Sequence, residues 1–224
     1  MAVVLLIRTR PGARLWGLSR VVLGERGVRG VPGLRFARAL GSGRGGGFGL
    51  VPSLEHQGLF TLFDDDATAD AFIDHSTLAG AYRARGLELW IAKLRATACR
   101  GSWGGMQMAV TREADPQAPV AALTRASIRP DRAWAFWRHS PASQAGLAGA
   151  SGCRLAIGLG EAPFLRQATF SLWDDTAAMD RYARQGGHQA AIRAAAQGAF
   201  FSESMFVRFA PSRIEGHWAG MAHG

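Results

Sequence analysis

At 224 residues and 48% hydrophobic content the chain can bury a sizeable core, and a charged fraction of 19% is too low for a disordered polymer. The net charge of +9 rests on 26 Lys and Arg residues, of which only Lys93 is lysine. The arginines are scattered and form no basic run interleaved with aromatics, which speaks against a nucleic-acid partner and leaves a compositional bias or contact with an acidic membrane surface.

In chain order, Ala2-Arg8 predicts a strand, and the stretch from Arg14 through Trp16, Leu18, Val21, Val22 and Leu23 an amphipathic helix. Leu34-Leu40 is a second predicted strand, followed by the Gly-rich loop Gly41-Gly49 and a third strand at Gly58-Phe63. Asp66 is placed to cap a helix running through Ala69, Phe72 and Ile73 toward Leu89, with a fourth strand expected around Arg100-Val110. A connector at Thr111-Val120, with Pro116 and Pro119, leads to the same order again. Val120-Arg129 is a strand, Asp131 caps a helix with Trp134 and Trp137, Arg154-Leu159 and Arg166-Trp173 are strands, a helix follows Asp175, and Ser204-Phe209 is the last strand.

The two halves also match in register. Gly33, Arg35, Ala37, Leu40 and Gly41 return 119 residues later as Gly152, Arg154, Ala156, Leu159 and Gly160. Phe60-Thr61-Leu62-Phe63-Asp64-Asp65 returns 110 residues later as Phe170-Ser171-Leu172-Trp173-Asp174-Asp175, with Asp70 matched by Asp180. Such self-similarity means one structural unit used twice, with the longer Gly-rich loop in the first copy. The pattern βαββαβ, twice, predicts an α+β chain of two fused ferredoxin-like repeats packed sheet to sheet as an intrachain dimeric α/β barrel, with halves at 1–112 and 113–224.

Val3-Ile7 is too short for a signal-peptide core and is followed by Arg8 and Arg10, and no window reaches the roughly 18 apolar residues of a membrane span. Cys99 and Cys153 lack metal or redox spacing and read as two reduced thiols. The sequence thus predicts a cytoplasmic protein, soluble or peripheral at the inner membrane. There is no HExxH, CxxC pair or GxSxG, so hydrolytic motifs are lacking. Of the six histidines, His75 and His188 fall opposite Gln185 and Leu78 in the repeat, so neither is required by its packing. His188, following Gly186-Gly187, is the stronger ligand candidate, while His75 beside Asp74 looks solvated. Arg44, flanked by glycines, can reach an anionic group, and seven tryptophans with twelve phenylalanines can fill a core or line an elongated apolar pocket.

The stretch Leu34-Arg35-Phe36-Ala37-Arg38-Ala39-Leu40-Gly41-Ser42-Gly43, with Gly47-Phe48 and Pro52, resembles the spheroidene monooxygenase family of acyclic carotenoid ketolases. The tail resembles it too, in Trp173-Asp174, Met179, Tyr182-Ala183, His188, Ala191-Ile192, Phe200-Phe201, Glu203, Met205, Arg208-Phe209 and Gly216-x-Trp218-x-Gly220. The resemblance implies a monooxygenase with haem b that oxygenates a long apolar, carotenoid-like substrate to a hydroxy and then a keto product, with electrons from a ferredoxin. It also implies His188 as axial ligand to the iron, Arg208 as a further haem contact, Arg44 as a catalytic residue, and Phe48 and Trp218 as substrate contacts. A cofactor-free oxygenase on the same scaffold and a non-catalytic binder of hydrophobic ligands stand as alternatives.

Overall fold

The computed structural model describes residues 1–49, 51–144, 146–162, 164–184 and 200–222. The chain divides into two units, the first made of Met1–Gly46, Val51–Arg95 and Pro211–Gly224, the second of Gly47–Leu50 and Ala96–Ala210. These units differ from the halves 1–112 and 113–224, because each last strand outruns its own repeat. The strand Gly86–Gly101 ends in the second unit, and the strand Phe201–Trp218 ends in the first.

In the first unit β1 (Ala2–Thr9), β2 (Leu34–Gly43), β3 (Pro52–Phe63) and β4 (Gly86–Gly101) pair antiparallel in the order β4-β1-β3-β2. Helices α1 (Arg14–Leu23), α2 (Asp66–His75) and α3 (Thr77–Arg85) complete it. In the second unit β5 (Val120–Ile128), β6 (Cys153–Ala162), β7 (Arg166–Trp173) and β8 (Phe201–Trp218) take the order β8-β5-β7-β6, with α4 (Ala133–Gln144) and α5 (Thr176–Arg184). Both orders are ferredoxin-like, and the protein is α+β as expected. A short strand β9 (Met221–Ala222) closes a hairpin with the end of β8.

Three expectations change in detail. Asp65, not Asp66, caps α2 by accepting the Thr68 amide at 2.8 Å. The long helix expected from there stops at Ser76, whose extended backbone (ψ 137°) and side chain start α3 by accepting the Ala79 amide. The fourth strand lies at Gly86–Gly101 instead of Arg100–Val110, because the run through Trp90, Ile91 and Leu94 pairs with β1, Ala2 facing Leu94. Tertiary pairing outweighs the helical reading of that run.

The side chains that betrayed the repeat hold the same posts in both units. Gly33 accepts the Asp64 amide and Gly152 the Asp174 amide, while Arg35 pairs with Asp64 and Arg154 with Asp174. Lys93 pairs with Asp70 at 2.8 Å, and Arg208 with Asp180 at 2.6 Å. Each sheet buries one face under its helices. Val3, Leu5, Ile7, Leu59 and Phe63 pack with Phe72, Ile73 and Tyr82 in the first unit, and Val120, Ala122 and Trp173 pack with Ala178 and Met179 in the second. The opposite faces are buried as well, through Val4, Leu6, Phe60 and Trp90, and through Leu123, Ile157, Phe170 and Val207.

A further repeat sits at the ends of the last strands, where Gly101-Ser102-Trp103-Gly104-Gly105-Met106 returns as Gly216-His217-Trp218-Ala219-Gly220-Met221. Gly101 (φ 80°) crosses so close to Ser204 that a Cβ there would overlap its carbonyl oxygen, and Gly216 (φ 86°) crosses Leu89 in the same way. Beyond each crossing the chain folds back, pairing Trp103 with Met106 and Trp218 with Met221. The Gly105 amide then donates to Glu203 and the Gly220 amide to Glu88, each at 3.0 Å.

In the second unit this hairpin closes a buried ionic cluster. Arg125, only 4% exposed, donates to Glu203 at 2.5 Å and lies 3.6 Å from Glu161, which also accepts from the Trp103 indole. Burial raises the Glu203 pKa, but the Gly105 and Gly104 amides, the Ser102 hydroxyl and Arg125 outweigh it and hold the carboxyl down at about 2.

Two measurements check this frame. Gly101→Ala meets both an unfavourable φ and a backbone overlap, so it should lower Tm by about 4–8 °C, whereas Gly105→Ala, equally left-handed but in open space, should cost about half as much. Equal losses would refute the close crossing. Because the Glu203 pKa is lower folded than unfolded, its contribution is complete above the unfolded value of 4.5 and is lost as pH falls toward 2. Glu203→Gln should therefore flatten the fall of Tm between about pH 5 and pH 2, and a Tm curve merely displaced in parallel would refute the assignment.

Candidate functional site

His188 lies outside the described residues, in the segment 185–199 between α5 and β8. The elements that flank that segment are braced to each other by the Arg208–Asp180 pair. Arg208 is therefore the counterpart of Lys93, a charge on the last strand neutralised by an acid on the second helix. Its Nη2 is committed to Asp180 and its guanidinium stands 5.8 Å over the Phe206 ring, while Nε and Nη1 have no partner among the described residues. The donor set on this side of the sheet fits a haem carboxylate.

Phe48 is half-buried and packs on the same helix-side cluster as Phe206, and Gly158 leaves room for it, since a Cβ there would overlap the Phe48 ring and the Gly47 carbonyl. The ring thus has a packing role independent of any ligand. Arg44 belongs to the first unit. Its amide donates to the Val51 carbonyl at 2.8 Å, and its exposed side chain has no partner among the described residues. Trp218, also in the first unit, is buried and stands perpendicular to His56 with ring centroids 5.9 Å apart. No hydrogen bond or ring contact joins Arg44 to Trp218 among the described residues. His75 ends α2 and is exposed, in keeping with its predicted solvation.

His56 is the residue that sequence reasoning passed over. It lies on β3, facing Arg8 across the sheet, on the face opposite the helices. Its Nδ1 is 2.9 Å from the Ser53 hydroxyl, which also accepts the amides of Glu55 and His56 at 3.2 and 3.1 Å. Burial and then the Arg8 guanidinium push its pKa below the ordinary histidine value, against the opposing pull of Glu55 and Glu88. Those two carboxylates are themselves engaged, Glu55 by Arg8 and Arg14 and Glu88 by Arg8 at 3.9 Å. The only local signal in the sequence is Ser-x-x-His at the entrance of a strand. Its meaning depends on Trp218, which is remote in sequence. The arrangement supplies a neutral, half-buried imidazole beside an aromatic wall.

No family model matches the chain. A spheroidene monooxygenase of Rubrivivax gelatinosus is 58% identical over 222 residues, covering 99% of this chain and 86% of that protein. A spheroidene monooxygenase of Rhodobacter capsulatus is 34% identical over 209 residues, 92% of this chain and 87% of that protein. Among solved structures, SnoaB, a cofactor-independent oxygenase from Streptomyces nogalater, aligns with 42% of this chain and 94% of its own at 19% identity and a TM-score of 0.35. With identity at the level of the first relative over nearly its whole length, the chain belongs to the spheroidene monooxygenase family and is a monooxygenase.

Proposed function

We propose that the chain is a haem-dependent monooxygenase that inserts oxygen into a long apolar, acyclic carotenoid-like substrate, giving a hydroxy and then a keto product. The observation that carries this is the 58% identity to a protein named spheroidene monooxygenase. Each insertion consumes O2, two electrons and two protons and releases one water; the second gives a geminal diol, which loses a further water to leave the keto product, and a ferredoxin is the electron donor we assign. Haem b, when bound, supplies the centre at which O2 is activated.

The chain's own part is to hold and orient. His188 would ligate the iron through a neutral imidazole, and Arg208 would meet a haem carboxylate through Nε and Nη1 while Nη2 stays on Asp180. Arg44 is assigned to an anionic group in catalysis, and Phe48 and Trp218 to apolar contact with substrate.

Such a substrate partitions into lipid, and the surface of α1 offers a peripheral contact. Leu15 and Val22, seven residues apart on one helix face, are 83% and 85% exposed, and Arg10, Arg26 and Arg29 are exposed nearby. The equivalent of Leu15 in the second repeat, Trp134, is 80% exposed. No helix among the described residues is long and apolar enough to cross a membrane.

Two experiments test this reading. Protein expressed with a haem precursor should show a Soret band that shifts or disappears in His188→Ala. A featureless spectrum despite ample haem overturns haem dependence and favours the cofactor-free oxygenase or the hydrophobic-ligand binder. For the membrane contact, Leu15→Ser combined with Val22→Ser should reduce co-sedimentation with anionic vesicles several-fold, and undiminished sedimentation removes α1 from the proposal.

A further inference from the structure

We infer that His56 and Trp218 form a subsite that takes a neutral oxygen acceptor, a hydroxyl, ether or carbonyl oxygen, carried by an otherwise apolar ligand, with the His56 Nε2–H as the donor. The inference rests on the proposed long apolar ligand and adds the group by which one part of it is held.

The direction of the Ser53–His56 hydrogen bond decides the matter. A hydroxyl has two lone pairs and one proton. Both lone pairs of Ser53 Oγ receive backbone amides, those of Glu55 and His56. The hydroxyl proton alone remains for the 2.9 Å contact to His56 Nδ1, so Nδ1 accepts. A neutral imidazole whose Nδ1 accepts carries its proton on Nε2. His56 therefore presents a donor and no lone pair, which excludes it as an iron ligand in this tautomer and suits it to an oxygen atom.

The surroundings hold that state. Imidazolium would need a proton on Nδ1, where Ser53 has no lone pair left to receive it. The charged groups that face the ring are Arg8 on β1, Glu55 on β3 and Glu88 on β4, and Trp218 from the β8 hairpin stands against it. Arg8 opposes a second positive charge, and both carboxylates are already paired with arginines. Nε2 has no partner among the described residues. The donor is neutral, so it discriminates by hydrogen bonding and not by charge.

Among the described residues the second unit lacks this device. His56 corresponds to Arg166 and Ser53 to Pro163, and the counterpart of Trp218, Trp103, donates its indole N–H to Glu161. Among the described residues, the first unit alone supplies a neutral imidazole donor next to its hairpin tryptophan.

The test uses the full chain labelled with 15N-histidine and two acyclic isoprenoid probes, farnesol and the corresponding hydrocarbon farnesene. In the free protein at neutral pH the long-range imidazole correlations should show His56 as the Nε2–H tautomer, titrating below the ordinary histidine range. Ser53→Ala should raise its midpoint and populate the Nδ1–H form. Farnesol should shift the His56 Nε2 resonance and bind about five-fold more tightly than farnesene, and His56→Phe should abolish that preference. An Nδ1–H tautomer in the wild type, or equal affinity for both probes, overturns the inference and leaves the monooxygenase reading standing. Binding of neither probe overturns it together with the apolar-ligand reading. Because the tautomer and the Ser53→Ala titration are read without ligand, a poorly folded His56→Phe does not shelter the inference.

Discussion

The close crossing of backbone at Gly101 and Gly216 is the constraint on which both units depend. Each glycine brings a strand against a neighbouring carbonyl at a distance that leaves no room for a Cβ and with a φ that disfavours one, and the chain then folds back. Only that reversal carries Trp103 and Trp218 to their posts and points the Gly105 and Gly220 amides at Glu203 and Glu88. The hairpin tryptophan, the amide and the carboxylate form one duplicated element, and what differs between the units is the chemistry set around it.

That difference follows from a few substitutions in register. Leu6 faces Trp90 in the first unit, where Arg125 faces Met205 in the second, so the same layer is filled by a large apolar ring in the first unit and by a cation in the second. A buried guanidinium requires carboxylates, and Glu161 and Glu203 supply them. Removing Arg125 would strip Glu203 of its ion-pair partner, which costs far more than the intact pair contributes. The first unit carries its arginine two residues further along, at Arg8, where exposure relaxes the demand for full pairing and leaves space for an uncharged imidazole. Duplication thus preserved the frame while freeing one copy to hold a polar group that is neither charged nor fully satisfied.

The sequence made the frame legible because local pattern and tertiary role agree there. Alternating and continuous apolar runs located nearly every strand, and the residues that match at 119 and 110 include Arg35 and Asp64, which tie β2 to the end of β3, and Asp70, which ties α2 to β4, with their counterparts. It failed where pairing overrides propensity, as in the run from Gly86 to Leu94, and where meaning comes from distant residues. Gly101-x-Trp103 and Gly216-x-Trp218 match at a third spacing of 115, hidden because connectors of different length precede them. Arg208 was legible as part of a family-like tail, but its pairing with Asp180 became intelligible only beside Lys93 and Asp70. Ser53 and His56 look ordinary until the hydroxyl's three hydrogen bonds are counted.

The arginine surplus takes on a different sense once the ion pairs are known. Arg8, Arg14, Arg35, Arg38, Arg83, Arg95, Arg125, Arg154, Arg208 and Arg213 all meet carboxylates within their own units, so a good part of the cationic complement is structural. The net excess of +9 is then expressed by residues such as Arg26, Arg29 and Arg44, which have no carboxylate partner among the described residues. An uncharged polyene gives such an excess no use. An anionic lipid surface and an acidic electron donor, the two partners of the proposed function, both do, since each is attracted over about a Debye length before any contact forms. On the proposed function, the uncharged donor at His56 and the cationic exterior around α1 answer separate demands, recognition of an apolar molecule and recruitment to the lipid in which it dissolves.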